Sequence, residues 1–249
     1  MHSSGYNLPF FGRHDALQDA TTGAFEYIDV ASGGPVTLPV TNGNRFVIFS
    51  TPNSLIPADT NGKVDIYRPD RQLNLTTKLS QAFGGSQTIG DVGEISASDD
   101  ALWVAFVSSD PSILPGLNGQ PQVFLMDAIT RAVILVSKSL DGTASIGYNS
   151  EPRISADGRY ILFISSASDL VAGDTNNQPD VFLYDRATRT TQLVSADVVG
   201  FIGNNDSEWG GTRNVGGIFI DFGSEARDPA GARDRDGECP DIFVSGHLS

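Results

Sequence analysis

One sequence unit recurs four times along this chain, and its spacing constrains the fold more than any other feature. The copies occupy residues 42–80, 94–137, 151–195 and 216–244. Their equivalent phenylalanines are Phe49, Phe106, Phe163 and Phe222, and the steps between them are 57, 57 and 59 residues. A step of this size indicates one supersecondary unit that is copied and stacked, so the fold can be derived from a single repeat.

The third copy predicts four short antiparallel strands. An extended stretch, 152–155, precedes the pair Asp157-Gly158, which suits the positive-φ positions of a tight hairpin turn. The next strand, 160–164, is uniformly apolar, and such a run indicates burial on both faces. A polar loop then leads to a third strand at 180–184, and a turn leads to a more polar fourth strand at 190–195, which we expect to be outermost.

A small sheet that is buried on both faces needs another sheet on either side. Radial packing of such sheets around an axis is a β-propeller, and a β-sandwich or a solenoid is the alternative. We therefore predict an all-β propeller of about four blades, each a four-stranded antiparallel sheet. The predicted repeats are about 35–80, 94–137, 151–195 and 208–245.

The two ends of the chain leave the closure of the ring open. Residues 24–30 are predicted to form a strand that completes the C-terminal blade, which would hide sheet edges that otherwise template aggregation. Residues 15–19 resemble a further third strand, so a composite fifth blade or an open piece of a larger ring is the alternative. Residues 1–5 read as a cloning remnant, and residues 6–249 as a single domain.

Composition excludes several classes of function. With 30 Asp and Glu against 16 Lys and Arg, the net charge is −14, and an acidic surface repels phosphate backbones, so nucleic-acid binding is not expected. No stretch approaches the roughly 18 apolar residues of a membrane-spanning helix. The single cysteine, Cys239, excludes an intrachain disulfide. The acidity fits secretion, cation binding or solubility alone, and the oligomeric state is left open.

Three segments of the third copy carry a family resemblance. They are S-A-D-G-R-Y-I-L-F at 155–163, L-V-A-G-D-T-N at 170–176 and D-V-F-L-Y-D at 180–185, and they resemble the TolB-like propeller repeat family. The match weakens in the fourth copy, where R-N-V-G-G at 213–217 replaces the Asp-Gly turn. Members of this family occur in bacterial periplasmic and extracellular proteins, and as non-catalytic propellers attached to peptidases. The resemblance implies a propeller that binds proteins or ligands, usually outside the cytoplasm.

The loop between the second and third strands of three copies carries regularly spaced oxygen side chains. Such a loop, wrapped around a Gly or Asn turn, can supply the several oxygen ligands that calcium takes. The candidate ligands are Asp59, Asn61, Asp65, Asp174, Asn176, Asp180, Asp234, Asp236 and Asp241. The second copy has no carboxylate in this loop and is expected to bind no ion. Because Asp and Asn also hydrogen-bond to the backbone of turns, simple bracing of the loops is the alternative.

A second candidate site consists of acids in register. Glu94, Glu151 and Glu208 each follow an Ile-Gly pair and each precede the predicted innermost strand, so they are expected at one mouth of the central channel. Converging carboxylates repel one another unless they are hydrated, protonated or bridged by a cation or a basic side chain. Together with Trp209 they form the predicted ligand-binding set. Pairing with Arg153 or Arg213, or capping of backbone amides, is the alternative for the glutamates, and burial in the core is the alternative for Trp209.

Catalysis has little support in the sequence. The histidines, His2, His14 and His247, are all near the chain ends, so a Ser–His–acid triad or a histidine metal site lacks parts. A pair among Glu94, Glu151 and Asp157 would be the candidate for glycoside hydrolysis.

We therefore predict a non-enzymatic binding or scaffolding propeller outside the cytoplasm, either extracellular, periplasmic or at the cell surface. It would present acidic loops at a channel mouth to a protein or glycan, with calcium as a candidate stabilising ion. The first alternative is a carbohydrate-binding propeller in which Trp209 stacks on a sugar ring. The second is a carbohydrate-active enzyme that uses paired carboxylates.

Overall fold

The computed structural model describes residues 45–174 and 178–195 in full. Outside these ranges it describes the strand backbones of 15–18, 25–28, 207–214, 218–224 and 241–245. Every helix or strand element in these ranges is a β-strand, which confirms the predicted all-β class. Within the same ranges, no helix is long and apolar enough to cross a lipid bilayer.

The strands form five antiparallel sheets in which neighbours along the chain pair with each other. A two-stranded sheet contains β1 (Asp15–Gln18) and β2 (Phe25–Ile28). Blade 1 contains β3 (Phe49–Thr51), β4 (Asp65–Asp70) and β5 (Leu75–Lys78). Blade 2 contains β6 (Val92–Ala97), β7 (Trp103–Ser108), β8 (Gln122–Asp127) and β9 (Val133–Leu135). Blade 3 contains β10 (Asn149–Ile154), β11 (Tyr160–Ser165), β12 (Asp180–Asp185) and β13 (Thr190–Leu193). Blade 4 contains β14 (Ser207–Asn214), β15 (Ile218–Ser224) and β16 (Asp241–Ser245).

Blade 3 shows how the sequence determines these strands. The strands predicted at 160–164, 180–184 and 190–195 correspond to β11, β12 and β13. Gly158 has a φ of 71°, and the Asp157 carboxylate accepts hydrogen bonds from the Ser155 hydroxyl at 2.5 Å and the Arg159 amide at 3.0 Å. The Asp-Gly pair therefore forms the predicted tight turn between β10 and β11.

The repeated phenylalanines occupy one register position in every blade. Phe106 pairs with Phe124 across β7 and β8, with ring centroids 5.3 Å apart, and Phe163 pairs with Phe182 across β11 and β12 at 5.6 Å. The equivalent backbone pairs in blades 1 and 4 are Phe49 with Tyr67 and Phe222 with Phe243. The four sequence repeats are thus four equivalent sheets.

The core lies between the blades. One apolar cluster joins Ile48 and Ile66 of blade 1 to Val104 and Phe106 of blade 2. A second cluster joins Ala105, Val123 and Leu125 of blade 2 to Ile161 and Phe163 of blade 3. Successive side chains of β7 therefore enter different clusters, which explains why its sequence is apolar throughout instead of alternating.

The innermost strands of blades 2 and 3 are in contact. The Ile154 amide of β10 donates a hydrogen bond to the Ser96 hydroxyl oxygen of β6 at 3.1 Å. The short strands β9 and β13 lie at the opposite edges of their sheets. Sheets that meet at their first strands and pack face to face are the blades of a β-propeller, as predicted.

The N-terminal hairpin has the register of an outer blade hairpin. Gln18 pairs with Phe25, and Tyr184 of β12 pairs with Thr191 of β13, with six residues between the partners in each case (19–24 and 185–190). β1 and β2 lie within the residues that the sequence predicts as a further third strand, 15–19, and as a closing strand, 24–30, and the blade to which they belong stays a prediction. Among the described residues, β2 pairs with β1 and β14–β16 form three strands, so closure of the ring by residues 24–30 stays a prediction.

The blades are also joined by aromatic contacts. In blade 3, the Arg186 guanidinium lies 4.0 Å from the ring centroid of Trp103 in blade 2, and its Nε donates to the Gly158 carbonyl at 2.8 Å. A Cβ added at Gly158 would lie 2.4 Å from the Trp103 ring. At the equivalent position of blade 2 stands Ala101, in the apolar cluster against which the smaller Phe46 of blade 1 packs. We infer that the smaller ring leaves room for the methyl group of Ala101.

We expect Gly158→Ala to destabilise the protein by about 2 kcal/mol, because the methyl group displaces the Trp103 ring at a position with positive φ. Trp103→Phe should remove part of this cost, since the pair then resembles Ala101 and Phe46. Urea unfolding of both single variants and the double variant measures the coupling, which we expect to be about 1 kcal/mol. Additive effects of the two substitutions would contradict the steric explanation.

Candidate functional site

Each blade has two ends with different loops. The connections between blades, 81–91 and 138–148, lie at the same end as the loops between second and third strands. The Phe83 amide donates to the Ser112 carbonyl at 2.7 Å, and the Leu140 amide donates to the Asp169 carbonyl at 2.8 Å. We call this end the connection face, and we call the opposite end, with the hairpin turns 98–102, 155–159, 71–74, 128–132 and 186–189, the turn face.

The structure brings Glu94 and Glu151 together near the connection face. One Glu94 carboxylate oxygen accepts a hydrogen bond from the Glu151 backbone amide at 2.6 Å, and both glutamates are exposed. The two residues lie inside β6 and β10, so the prediction that they precede the innermost strands was wrong by a few residues. Each strand begins earlier than predicted because it continues through a β-bulge, where an extra residue shifts the register of pairing with the second strand of the blade.

These bulges place the glutamates in unusual backbone conformations. Glu94 has a φ of 43° and Glu151 a φ of 50°, in the left-handed region that residues other than glycine seldom adopt. A bulge leaves the amide of its extra residue outside the strand ladder. The carboxylate of the preceding blade satisfies that amide at Glu151, so the backbone capping that the sequence left as an alternative occurs here between blades.

The remaining members of the predicted ligand-binding set lie in blade 4. In β14, Glu208 pairs with Gly223 and Trp209 pairs with Phe222, and a register shift follows between Trp209 and Gly211. Blade 4 therefore has a bulge in its first strand, as blades 2 and 3 do. The side chains of Glu208 and Trp209 are outside the described part of the structure, so their roles stay predictions.

In the first predicted calcium loop, a lysine lies between the carboxylates. Lys78 Nζ is 2.9 Å from Asp59 and 2.6 Å from Asp65, and all three side chains are buried. The Tyr67 hydroxyl donates to the other Asp59 oxygen, and the Ser80 hydroxyl donates to Asp65 at 2.6 Å. The negative charge of this loop is thus partly offset by an ammonium group, in the position where the calcium hypothesis places an ion.

This network changes the acidity of its members. Burial raises the pKa of Asp59, but the hydrogen bonds from Tyr67 and Lys78 outweigh burial and hold this pKa below its usual value. Burial and the hydrogen bond to Asp59 raise the pKa of the Tyr67 hydroxyl. Both shifts keep Asp59 charged and Tyr67 neutral, which is the state that the hydrogen bonds require.

The asparagine of this loop is a brace between blades. The Asn61 amide group donates to the Thr88 carbonyl at 3.2 Å and to the Thr88 hydroxyl at 3.1 Å. In the second copy, Asn118 donates in the same way to the Ser145 carbonyl at 2.8 Å, although its loop has no carboxylate. The shared contact, and not a shared ion, explains why both loops carry this asparagine.

The third copy keeps the two acids and lacks the lysine. Asp174 and Asp180 are buried, and the Ser195 hydroxyl donates to Asp180 at 2.6 Å. Leu193 stands at the position of Lys78. Asn176, Asp234 and Asp236 lie outside the described residues, and Asp241 begins β16 with its side chain undescribed. The described residues contain no group of three or more His, Cys, Asp or Glu that could hold a metal ion.

Sequence reasoning missed three residues that shape this face. Lys78 could have been found by aligning the repeats, because the equivalent residues are Leu135 and Leu193. Asp110 and Asp169 accept hydrogen bonds from the amides of Ile89 and Ile146 at 2.9 and 3.2 Å, and so fix the Ile-Gly connections. No local sequence signal predicts these two clamps, since each acid belongs to the blade after the connection that it holds.

Charge is distributed unequally between the two faces. The exposed or half-buried acids at the connection face are Asp91, Glu94, Asp141, Glu151 and Asp169, against the basic residues Lys63 and Lys138. Every arginine within 45–174 and 178–195 lies at the turn face or in the adjoining half of a strand. These arginines are Arg45, Arg68, Arg71, Arg131, Arg153, Arg159, Arg186 and Arg189. Two of them pair with turn acids, Arg45 with Asp70 at 2.7 Å and Arg159 with Asp185 at 2.9 Å.

Comparison with known proteins identifies the fold. No protein-family model and no curated sequence matches the chain. Among solved structures, the acylaminoacyl peptidase of Pyrococcus horikoshii is similar with a TM-score of 0.52 at 10% identity, over 91% of this chain and 28% of that one.

Two TolB structures are similar over most of this chain. TolB from Acinetobacter baumannii has 14% identity and a TM-score of 0.49 over 95% of this chain. The putative TolB from Agrobacterium tumefaciens has 12% identity and a TM-score of 0.48 over 90% of this chain and 70% of that one. The chain spans 49% of the Acinetobacter protein, about half its length. At these identities the likeness concerns the fold alone, and the packed antiparallel sheets of the chain are those of a β-propeller.

Proposed function

We propose that this protein is a non-enzymatic binding or scaffolding propeller that presents acidic loops at its channel mouth to a protein or ligand. The observation that carries the proposal is the contact between Glu94 and the Glu151 amide. It holds the exposed carboxylate of Glu94 against the backbone of Glu151, a second exposed glutamate on the innermost strand of the next blade. A rigid blade scaffold holds this pair without any moving part, and pre-organised groups of this kind lower the cost of binding.

The geometry of the glutamate pair supports binding more than catalysis. Glycoside hydrolysis needs one carboxyl group as an acid and a second as a nucleophile or base, both free to reach the substrate. Here one oxygen of Glu94 is engaged by a backbone amide. Asp157, the third candidate acid, lies in the turn between β10 and β11 at the turn face and accepts hydrogen bonds from its own turn.

We place the function outside the cytoplasm. The TolB-like fold and the acidic composition support this location, and the family resemblance in the third copy points the same way. Fractionation of cells that express the native gene, with the chain detected by antibody, tests the location directly. Recovery in the cytoplasmic fraction would contradict it.

The binding function is tested by photo-crosslinking in extracts of the source organism. We expect a partner that the wild-type chain captures to be lost on the double charge reversal Glu94→Lys/Glu151→Lys. Asp99→Lys/Asp100→Lys, in an exposed turn of the turn face, is the matched control and should keep the partner. Competition by free sugars would instead favour the carbohydrate-binding alternative, with Trp209 as the stacking residue. Turnover of a glycan that Glu151→Gln abolishes would favour the enzyme alternative.

We also propose that calcium stabilises the loops of the third and fourth copies. Asp174 and Asp180 of the third copy correspond to Asp59 and Asp65, whose charge Lys78 partly offsets in the first copy. Leu193 occupies the position of Lys78 in this copy, and the regularly spaced oxygen side chains of its loop are of the kind that calcium takes as ligands. The oxygen-rich loop 234–241, with Asp234 and Asp236, is the second candidate.

Thermal unfolding with calcium and with excess chelator tests this proposal. We expect a rise in Tm that saturates with calcium, because an ion about 100-fold above its Kd stabilises the folded state by about 2.7 kcal/mol. Leu193→Lys should place an ammonium group at the position equivalent to Lys78 and remove the calcium response of the third copy. Asp234→Asn/Asp236→Asn should remove the response of the fourth. Leu135→Lys is the matched control, since the loop of blade 2 has no carboxylate. Equal Tm values in calcium and chelator would exclude occupied calcium sites.

A further inference from the structure

The connection face exposes apolar side chains at repeated positions. Phe83 and Leu140 are equivalent residues of successive connections and are 66% and 67% exposed. Ile89 and Ile146 are likewise equivalent and are 65% and 74% exposed. Apolar groups that recur on one exposed face of a soluble protein mark an interaction surface more often than chance exposure does.

The backbone holds two of these side chains in place. The Asp110 carboxylate accepts hydrogen bonds from the amides of Ile89 and Gly90, both at 2.9 Å, and Asp169 accepts one from the Ile146 amide. Burial raises the pKa of Asp110, but the hydrogen bonds from Ser112, Gly90 and Ile89 outweigh burial and hold this pKa below its usual value. The Asp110 carboxylate that binds the two amides is therefore charged at neutral pH. The isoleucines are therefore presented from rigid connections and not from mobile loops.

Among the described residues, the same face carries an excess of acidic over basic side chains. Its exposed acids outnumber its lysines, and no arginine of the described ranges lies there. Exposed apolar residues also occur at the turn face, among them Leu73 and Ile129, but these are next to arginines such as Arg71 and Arg131. Within 45–174 and 178–195, only the connection face therefore combines exposed apolar groups with an excess of negative charge.

We infer that the connection face docks a cationic segment of another protein that also carries apolar side chains. Basic residues of the segment would meet Glu94, Glu151 and Asp91, while its apolar residues would cover Ile89 and Ile146. The inference rests on the proposed binding function and names the chemistry of the partner. Charge complementarity excludes a nucleic acid or an anionic lipid surface as the occupant, because both repel this face.

A random dodecapeptide display library, selected against the whole chain at physiological salt, tests the inference. We expect enriched peptides to carry at least two Lys or Arg together with aliphatic or aromatic residues. Ile89→Ser/Ile146→Ser should weaken the binding of the most enriched peptide about tenfold, as expected for the loss of two apolar contacts. Leu73→Ser/Ile129→Ser, at the turn face, is the matched control and should leave binding unchanged. All four residues are exposed, so both variants should keep the wild-type Tm.

Three outcomes would overturn the inference. They are no enrichment at all, enrichment of neutral or acidic peptides, and equal binding to the two double variants. The crosslinking experiment separates this failure from failure of the proposed function. If capture of a partner depends on Glu94 and Glu151 but is unaffected by Ile89→Ser/Ile146→Ser, the proposed binding function stands. The inference that the partner is a cationic segment with apolar side chains is then wrong. If neither the crosslinking nor the peptide selection gave specific binding, both the proposed function and this inference would be contradicted.

Discussion

Gly147→Ala is expected to destabilise the protein by about 3 kcal/mol, which is more than the effect expected of Gly158→Ala. A Cβ at this position would lie 2.3 Å from the Ala167 amide nitrogen and 2.5 Å from its Cα. Both atoms belong to the backbone, and Ala167 is buried in the cluster between blades 2 and 3. The Tyr148 amide and the Ser166 hydroxyl hold the two segments together at 3.1 Å, so the clash cannot be relieved by rotating a side chain.

Urea unfolding of Gly147→Ala measures this cost, and two other glycines calibrate it. A Cβ at Gly90, the equivalent residue of the previous connection, would meet the Asp110 Cβ at 2.9 Å, so Gly90→Ala should cost less. Gly93, in β6, has no atom within 4 Å of such a Cβ, and Gly93→Ala should change stability by less than about 0.5 kcal/mol. Equal stability of the Gly147 and Gly93 variants would show that the connection 138–148 and the loop after β11 approach less closely than the structure indicates.

Lys78→Met is expected to cost about 3–5 kcal/mol at neutral pH, because it leaves two buried carboxylates without their counter-charge. Lys138→Met, at an exposed position of the next blade, is the matched control and should cost less than about 0.5 kcal/mol. The triple variant Asp59→Gly/Asp65→Gln/Lys78→Leu reproduces the residues of the second copy, Gly116, Gln122 and Leu135. We expect it to be more stable than Lys78→Met, since Gln122 satisfies Ser137 and Ser145 without charge.

The cost of Lys78→Met should depend on pH with a definite sign. In the wild type the pKa of Asp59 is lowered, so Asp59 contributes stability above its unfolded pKa, and this contribution is lost as the pH falls through the folded pKa. Lys78→Met removes a hydrogen bond and a charge that lower the pKa of Asp59, so this pKa is higher in the variant than in the wild type and Asp59 stabilises the variant less at neutral pH. The difference in unfolding free energy should therefore shrink as the pH is lowered from 7 toward 4. A difference that is independent of pH would exclude the charge explanation.

The sequence alone determined the architecture, because its signals are local and repeated. The apolar run at 160–164, the Asp157-Gly158 turn and the 57-residue step each follow from a few neighbouring residues, and the copies confirm one another. The same reasoning placed Glu94 and Glu151 in register but just before the innermost strands, whereas the structure has them inside β6 and β10. Sequence reasoning could not place them in bulges, since a bulge depends on pairing with the next strand.

Only the tertiary structure decided which groups meet between blades. Lys78 lies between Asp59 and Asp65 because three separate segments of blade 1 converge, and Glu94 reaches an amide 57 residues away in the next blade. The clamps on Ile89 and Ile146 likewise come from the blade that follows. Propensity and periodicity report the conformation of neighbouring residues, so they specify each blade. The contacts that build the candidate site join residues far apart in the chain, and these exist only once the blades are packed against one another.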